Sequence, residues 1–200
     1  MNFYKSLKEP FQTEVYKVKG SKFLGYAFPI SSREEIAKNL EALKSQHPKA
    51  NHCCYAWKLG TIQPEIRYSD DGEPTNSSGK PIFGQILSYE VTNVLVVVIR
   101  YFGGTKLGVG GLIQAYREAA RMSLEGGEIV VRDIKCAYSL HFEYARLDRV
   151  MRLIKENQLE IVSQEMEMDV VMLLHVKKEA EEGFLGQIES LRDVKVTKND

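Results

Sequence analysis

The sequence is poor in cysteine and in long apolar runs, and neither sign of charge is in excess. Its 200 residues contain three cysteines, two of them adjacent. An odd count argues against a disulfide framework. The longest wholly apolar run, Val94–Ile99, is far shorter than the ~20 residues that a membrane helix needs. The first residues hold no apolar signal core, so we expect a cytoplasmic protein without membrane contact.

The charge is balanced overall but uneven along the chain. Residues 1–132 carry 17 Lys and Arg against 13 Asp and Glu, a formal charge of +4. Residues 133–200 carry 10 against 14, a formal charge of −4. The opposite signs indicate different roles for the two halves. Neither value is large enough to identify a nucleic-acid surface by itself.

The pattern of apolar residues predicts an α+β protein with two domains, 1–132 and 133–200. In the first, two strands flank Gly20, a capping box at Ser32 and Glu35 begins a helix, and Val94–Ile99 is a strand buried on both faces because it does not alternate. A helix that ends at Gly126 and Gly127 follows a glycine-rich loop. In the second domain the order βαββαβ predicts a ferredoxin-like arrangement.

The glycine-rich loop follows the buried strand and precedes a helix, which is a setting for anion binding by backbone N–H groups. It holds five glycines, Gly103, Gly104, Gly108, Gly110 and Gly111. A dinucleotide fingerprint starting at Gly108 would need glycine in place of Ile113, and a Walker A loop would need lysine in place of Val109. Two interpretations stay open. The glycines serve packing alone, or they also contact phosphate with Thr105, Lys106 and Arg100.

Several side chains near the loop extend the second interpretation. Lys22 is expected to join Arg100 and Lys106 in one basic patch. Tyr26, Tyr101 and Phe102 could stack on bases or belong to the core, and a core position is favoured for Phe102 because large aromatic side chains are usually buried.

Two further clusters have less specific patterns. Asp70, Asp71 and Glu73 could hold Mg²⁺ against a phosphate, although a solvated turn is the favoured interpretation. His52, Cys53 and Cys54 lack the ligand spacing of a zinc site, and inert buried thiols are favoured over a nucleophile. We therefore assign no catalytic residue and no metal ligand, and we expect no cofactor.

The stretch "RYFGGTKLGVGGLIQAY" closely resembles the signature of the YigZ/IMPACT family. The blocks "GSKFLGYAFPISSREEI", "HPKANHCCYAWKLG" and "YSDDGEPTNSSGKPI" are also similar to family blocks, in the same order. Together they span most of residues 20–125, whereas the second half resembles the family's bacterial C-terminal domain only in pattern.

The resemblance implies a fold and a field of action. The N-terminal domain would be like the second domain of a small-subunit ribosomal protein, and the C-terminal domain like a ferredoxin-like domain of elongation factor G. Eukaryotic members restrain a translation-stress kinase by competing for its activator. The expected partner is therefore RNA, the ribosome or a translation factor, and the expected role is binding or regulation without catalysis.

The residues expected to contact nucleic acid or phosphate are Lys22, Arg100, Tyr101, Gly103, Gly104, Thr105, Lys106, Gly108, Gly110 and Gly111. Two alternatives stay open. One is an enzyme acting on a phosphorylated small molecule or nucleotide with Mg²⁺, to which Asp70, Asp71 and Glu73 would contribute. The other is a purely protein-binding regulatory module. The sequence does not indicate an oligomeric state.

Overall fold

The computed structural model describes residues 2–199, and the chain divides into two compact units. The larger unit contains residues 4–132, and the smaller contains residues 133–199 together with residues 2–3. Both units combine strands and helices, so the prediction of an α+β protein is confirmed. None of the helices within residues 2–199 is both long enough and apolar enough to cross a membrane.

The strands are β1 Phe3–Leu7, β2 Phe11–Gln12, β3 Tyr16–Val18, β4 Ser21–Pro29, β5 His52–Leu59, β6 Glu65–Ser69, β7 Val94–Tyr101, β8 Ile129–Asp133, β9 Lys135–Glu143, β10 Glu160–Met166, β11 Asp169–Lys177 and β12 Val194–Asn199. The helices are α1 Arg33–Gln46, α2 Gly79–Ser88, α3 Gly108–Gly126, α4 Leu147–Glu156 and α5 Glu181–Glu189, with short 3₁₀ turns directly before α4 and α5.

The larger unit is built on a six-stranded sheet whose central strand is β7. The strand order is β2-β4-β7-β5-β6, and β3 also pairs with β4. β7 is antiparallel to both of its neighbours, and Val94 to Arg100 are all buried. The prediction of a strand buried on both faces is therefore confirmed.

Helices cover both faces of this sheet. Because successive side chains of a strand point to opposite faces, Val94, Val96 and Val98 pack with residues of α2 and α3. Leu95, Val97 and Ile99 belong to a second cluster with residues of α1. The sheet thus carries a separate apolar cluster on each face.

The predicted helix boundaries follow from local chemistry. Ser32 caps α1, and its hydroxyl accepts the Glu35 N–H at 3.3 Å. The Glu35 carboxylate accepts the N–H of Ser31 at 2.7 Å, one residue earlier than in a standard capping box. α3 ends at Gly126, with Gly127 as its cap, so its predicted end is confirmed.

The smaller unit has the predicted element order βαββαβ. Its four strands lie in the order β10-β11-β9-β12, and all neighbours are antiparallel, which is the split arrangement of ferredoxin-like domains. Alternate residues of β9, from Cys136 to Phe142, are buried against α4 and α5.

Two features of the larger unit were not predicted. Strands β1 and β2 have no clear apolar pattern in the sequence. Strand β8, Ile129–Asp133, pairs with β1 in a two-stranded sheet that is separate from the main one.

Candidate functional site

The glycine loop, residues 103–111, joins the end of β7 to the first turn of α3. Gly103, Gly104, Thr105 and Lys106 are exposed, as are Gly108 and Gly110. Lys22 lies at the same end of the sheet, because it is paired with Tyr101 in the β4–β7 register. The structure therefore brings Lys22, Tyr101 and the glycine loop together at one end of the sheet.

Three of the glycines have reasons within the fold. A Cβ atom at Gly103 would stand 1.9 Å from the carbonyl carbon of Gly20, so the loop packs backbone to backbone against the β3–β4 turn. Gly104 and Gly108 have φ of +85° and +72°, a conformation that costs glycine little and other residues more. Packing and turn geometry account for this part of the loop.

Neither packing nor turn geometry requires a glycine at position 110. Gly110 lies inside α3 without a positive φ, and a Cβ atom there would meet nothing within 4 Å. Glycine lowers helix stability by ~1 kcal/mol relative to alanine, so the fold itself would favour a side chain at this position. The glycine instead leaves bare backbone on the exposed first turn of the helix.

The N-terminus of α3 also lacks a side-chain cap and a neutralising negative charge. Its N-cap residue, Leu107, makes no side-chain hydrogen bond to the helix, and no acidic residue lies in the first turn. The first N–H groups of a helix have no partners within it, and the helix dipole adds partial positive charge there. This arrangement suits an anionic group that approaches from outside.

Two further lysines, Lys17 and Lys19, lie in the hairpin that packs against the glycine loop. Lys17 is the cross-strand neighbour of Lys22 in the β3–β4 hairpin, and Lys19 lies in the hairpin turn that packs on Gly103. Together with Lys106 these lysines are exposed, and none of them forms an ion pair within residues 2–199. The segment "KVKGSK" around Gly20 was the sequence signal for Lys17 and Lys19.

Arg100 lies apart from these lysines. In the strand register it is opposite Phe23, one residue out of step with Lys22 and Tyr101, so its side chain points to the other face of the sheet. Only 5% of the residue is exposed. Arg100 is therefore not part of an exposed basic patch, because strand alternation places it beneath the surface.

The buried guanidinium of Arg100 connects three parts of the larger unit. Nη1 donates to Glu73 Oε1 at 2.6 Å, and Nη2 donates to Ser21 Oγ at 3.3 Å. Ser21 Oγ also accepts the N–H of Gly103 at 3.2 Å. Arg100 Nε has no hydrogen-bond partner in the described chain. Through Ser21, this network supports the base of the glycine loop.

The carboxylates of Asp70, Asp71 and Glu73 turn toward different protein groups. Asp71 accepts the N–H of Cys53 at 2.6 Å, and Glu73 accepts from Arg100 and from the Tyr116 hydroxyl at 2.7 Å. Among residues 2–199 no three His, Cys, Asp or Glu side chains are grouped to hold a metal ion. The favoured interpretation, a solvated turn, holds for exposed Asp71, whereas Glu73 is buried.

Asp70 organises the loop that leads into α2. Its carboxylate accepts the N–H groups of Asn76, Ser78 and Gly79 and the Ser78 hydroxyl, at 2.7–3.0 Å. Burial acts to raise the pKa of Asp70, but the hydrogen bonds from Ser78, Gly79 and Asn76 outweigh it and hold the pKa below its usual value. The group is thus a charged structural acceptor.

The neighbouring thiols are poorly suited to nucleophilic chemistry. Burial, with the nearby Asp71 charge, raises the pKa of Cys53 to about 11. Burial also raises the pKa of Cys54 to about 12, against the opposing effect of its contacts with the Ser78 and Tyr116 hydroxyls. The reactive form of cysteine is the thiolate, and it is scarce at neutral pH. The interpretation of Cys53 and Cys54 as inert buried thiols is supported.

The aromatic residues divide differently from our expectation. Tyr26 is buried and Tyr101 is half-buried. The core position favoured for Phe102 is wrong, because the residue is 44% exposed. The chain leaves the sheet after Tyr101, so Phe102 no longer lies beneath a helix. Its backbone N–H is anchored by Asn51 Oδ1 at 2.8 Å.

Comparison with known proteins adds an independent line of observation. The Impact N-terminal domain matches residues 19–124, which is more than half of the chain and includes the whole glycine loop. The chain belongs to the IMPACT family. All of the proposed contact residues of this family member, from Lys22 to Gly111, lie inside the matched domain, whereas the smaller unit lies outside it.

Relatives of this IMPACT family member match beyond that domain. An IMPACT family member of Haemophilus influenzae is 29% identical over 86% of this chain and 84% of its own length. The Escherichia coli protein YigZ, also an IMPACT family member, is 30% identical over 80% of this chain and 79% of its own length. A crystal structure of a hypothetical protein covers 100% of this chain and 98% of its own, with a TM-score of 0.79 and 24% identity, which is a likeness of fold.

Proposed function

We propose that this IMPACT family member is a non-catalytic, translation-associated binding protein that contacts RNA phosphates through the glycine loop and the surrounding lysines. The RNA would be free, part of the ribosome, or held by a translation factor. Translation is the field in which the family's eukaryotic members act, and family membership supports the same field here.

The observation that carries the proposal is the bare start of α3. Gly110 leaves backbone exposed where the fold does not require it, and the helix start is neither capped by a side chain nor neutralised by an acidic residue. Backbone N–H groups and helix N-termini are frequent contacts to nucleic-acid phosphates. The loop therefore offers a close approach that an alanine at position 110 would obstruct.

The charge around the loop supports the same conclusion. Lys17, Lys19, Lys22 and Lys106 are exposed and lack ion-pair partners within the described residues. Lysines that contact phosphate replace condensed counterions, and this makes binding fall steeply with salt. The net charge of residues 1–132 is positive, which favours an anionic partner for this unit.

The kinship proposed for the two units fits this role. We propose that residues 4–132 are related in fold to the second domain of a small-subunit ribosomal protein, and residues 133–199 to a ferredoxin-like domain of elongation factor G. Fold kinship alone does not assign a function, so the site carries the argument.

The enzyme alternative has less support. Asp70, Asp71 and Glu73 already accept hydrogen bonds from the protein, each from different donors, and the buried thiols of Cys53 and Cys54 remain protonated at neutral pH. The purely protein-binding alternative predicts negligible affinity for RNA at physiological salt. Measuring RNA binding therefore distinguishes this alternative from the proposed function.

The test is fluorescence anisotropy with labelled RNA over a range of about 50 to 200 mM KCl. Lys106→Ala and Lys22→Ala should each weaken binding and reduce the salt slope by about 1. Lys38→Ala, an exposed lysine on α1, is the matched control and should change neither. Gly110→Ala should weaken binding without loss of stability, whereas Gly84→Ala in α2 should leave binding unchanged.

Absence of RNA binding even at low salt, or equal effects of Lys38→Ala and Lys106→Ala, would overturn the proposal. Arg100→Ala is unsuitable as a phosphate-contact variant. Removal of the Arg100 side chain would break its buried contacts to Glu73 and Ser21. A fall in affinity could then result from loss of the fold and not from loss of a phosphate contact.

A further inference from the structure

A cleft of about 360 Å³ opens beside the glycine loop, on the α1 side of the sheet. Lys22, His47, Tyr101 and Phe102 line it, with Leu24 and Val15 as apolar surface. Gly20 also lines it, and Gly20 is the residue whose backbone packs on Gly103. The cleft and the glycine loop therefore share a wall.

Phe102 is held in place by Asn51 and Arg100 but keeps much of its ring exposed. It is 44% exposed, its N–H is bonded to Asn51, and the guanidinium carbon of Arg100 lies 5.5 Å from its ring centroid. Arg100 itself is fixed by Glu73 and Ser21. A buried cation thus supports the ring, while a large part of its surface stays open.

His47 connects the cleft to a buried tyrosine. Its Nε2 lies 2.7 Å from the Tyr26 hydroxyl, and its Nδ1 lies 2.8 Å from the Tyr101 hydroxyl. Burial lowers the pKa of His47, so the ring is neutral near pH 7, and one nitrogen donates while the other accepts.

We assign the hydrogen of His47 to Nδ1, because buried Tyr26 needs an acceptor for its own hydroxyl hydrogen and Nε2 is in reach. Nδ1 then donates to Tyr101. The Tyr101 hydroxyl keeps its own hydrogen, which is available to an acceptor atom inside the cleft.

We propose that this cleft receives one base of single-stranded RNA, which stacks on Phe102 and accepts a hydrogen bond from Tyr101, while its flanking phosphate lies at the glycine loop. The inference rests on the proposed function and names the form of RNA that the site selects. Lys22, on the shared wall, would contact the connecting phosphate or sugar.

Three observations favour this ligand. The cleft volume is at the lower end of the ~300–1,000 Å³ typical of small-ligand sites, so it fits a single flat ring system. Unpaired lysines beside an exposed aromatic ring form the usual platform for single-stranded nucleic acid. A base inside a duplex is stacked and paired, so only an unpaired base can enter such a cleft.

The experiment compares a labelled single-stranded oligouridine with a labelled RNA duplex, using the full chain at low salt. Phe102→Ala should weaken binding of the single strand by roughly 5- to 100-fold and leave the duplex nearly unchanged. Tyr101→Phe should weaken the single strand by roughly 2- to 10-fold. Tyr144→Ala, which removes an exposed aromatic ring in the smaller unit, is the control and should change neither affinity.

Phe102→Trp guards against a folding artefact, because it should retain single-strand binding and show quenched fluorescence when the base stacks. The only tryptophan of the unmodified sequence is Trp57, which is buried, so the unmodified protein is the reference for the fluorescence of Phe102→Trp. Thermal unfolding of each variant checks that the fold is kept.

The outcomes separate the two proposals. If Lys106→Ala weakens both RNAs while Phe102→Ala changes neither, or weakens both equally, the base cleft is wrong and phosphate binding at the loop stands. If neither RNA binds at low salt, the proposed function fails and the base cleft fails with it. Selective loss of single-strand binding in Phe102→Ala, with retention in Phe102→Trp, supports both.

Discussion

Arg100 and Glu73 form a buried ion pair, with 2.6 Å between Nη1 and Oε1 and less than a tenth of either side chain exposed. The hydroxyl of Tyr116 donates to the same carboxylate oxygen. The pair thereby joins the end of β7, the loop after β6 and the middle of α3. Because Arg100 also reaches Ser21 and the ring of Phe102, a structural pair supports both the glycine loop and the neighbouring cleft.

Neutralising one partner of this pair should destabilise the protein strongly. Glu73→Gln leaves the Arg100 charge buried without a counter-charge, and we expect a loss of roughly 3–5 kcal/mol in the free energy of unfolding. Urea denaturation measures it. Arg33→Ala breaks the exposed pair with Glu65 and serves as the control, with an expected loss below about 1 kcal/mol. Equal losses in the two variants would contradict a special role for the buried pair.

Alanine substitutions should divide the glycines by their surroundings. Gly103→Ala places a Cβ atom against the backbone of Gly20 and Ser21, where no flexible side chain can move aside, and we expect a loss of roughly 1–3 kcal/mol. Gly84→Ala meets nothing within 4 Å inside α2 and should gain up to ~1 kcal/mol from helix propensity. Thermal and urea unfolding measure both. A neutral Gly103→Ala would show that the β3–β4 turn is free to shift.

Asp70 should make stability depend on pH in the acid range. Its pKa is lowered in the folded protein, so its contribution is complete above the pKa of the unfolded chain and is lost as the pH falls through the folded value. Asp70→Asn should therefore cost roughly 1–3 kcal/mol at pH 7. The difference in the free energy of unfolding between Asp70→Asn and the unmodified protein should become smaller below a pH of about 3.9.

Urea unfolding at a series of pH values measures this difference. Glu41→Gln, an exposed position on α1, should show little difference at any pH. If the gap between Asp70→Asn and the unmodified protein stayed constant down to pH ~2, the hydrogen bonds to Asp70 would not depend on its charge.

The three cysteines should be unreactive in the folded protein. All three thiols are free and buried, and the pKa values of Cys53 and Cys54 are raised to about 11 and about 12, chiefly by burial. A chromogenic disulfide reagent at a pH of about 8 should react slowly with native protein and quickly with all three thiols in urea. Fast reaction of one thiol in native protein would point instead to an accessible, activated cysteine.

The sequence was most informative where neighbouring residues decide the structure. β7 could be predicted from its unbroken apolar run, and the start of α1 from Ser32 and Glu35, because strand burial and helix capping depend on a few adjacent positions. The end of α3 followed in the same way from Gly126 and Gly127.

The site was less predictable, because its chemistry depends on partners distant in the chain. The sequence predicted Arg100 to be a free cation in a basic patch. Its counter-charge, Glu73, lies in a loop whose composition predicted a solvated turn. Phe102 read as core because a pattern does not show that the chain leaves the sheet one residue earlier. Lys17 and Lys19 became relevant only when the fold placed their hairpin turn against Gly103.

The position of β7 at the centre of the sheet governs when this unit can be completed during synthesis. β4 pairs with β2, β3 and β7, and β5 pairs with β6 and β7, so a nascent chain that has not yet reached Val94, where β7 begins, holds two separate groups of strands. β1 waits longer still, because its partner β8 ends at Asp133. Pairings over such long stretches of chain form slowly and leave strand edges uncovered. The sheet of the larger unit therefore closes late, and the edges of β4 and β5 stay uncovered until Val94–Tyr101 has been made.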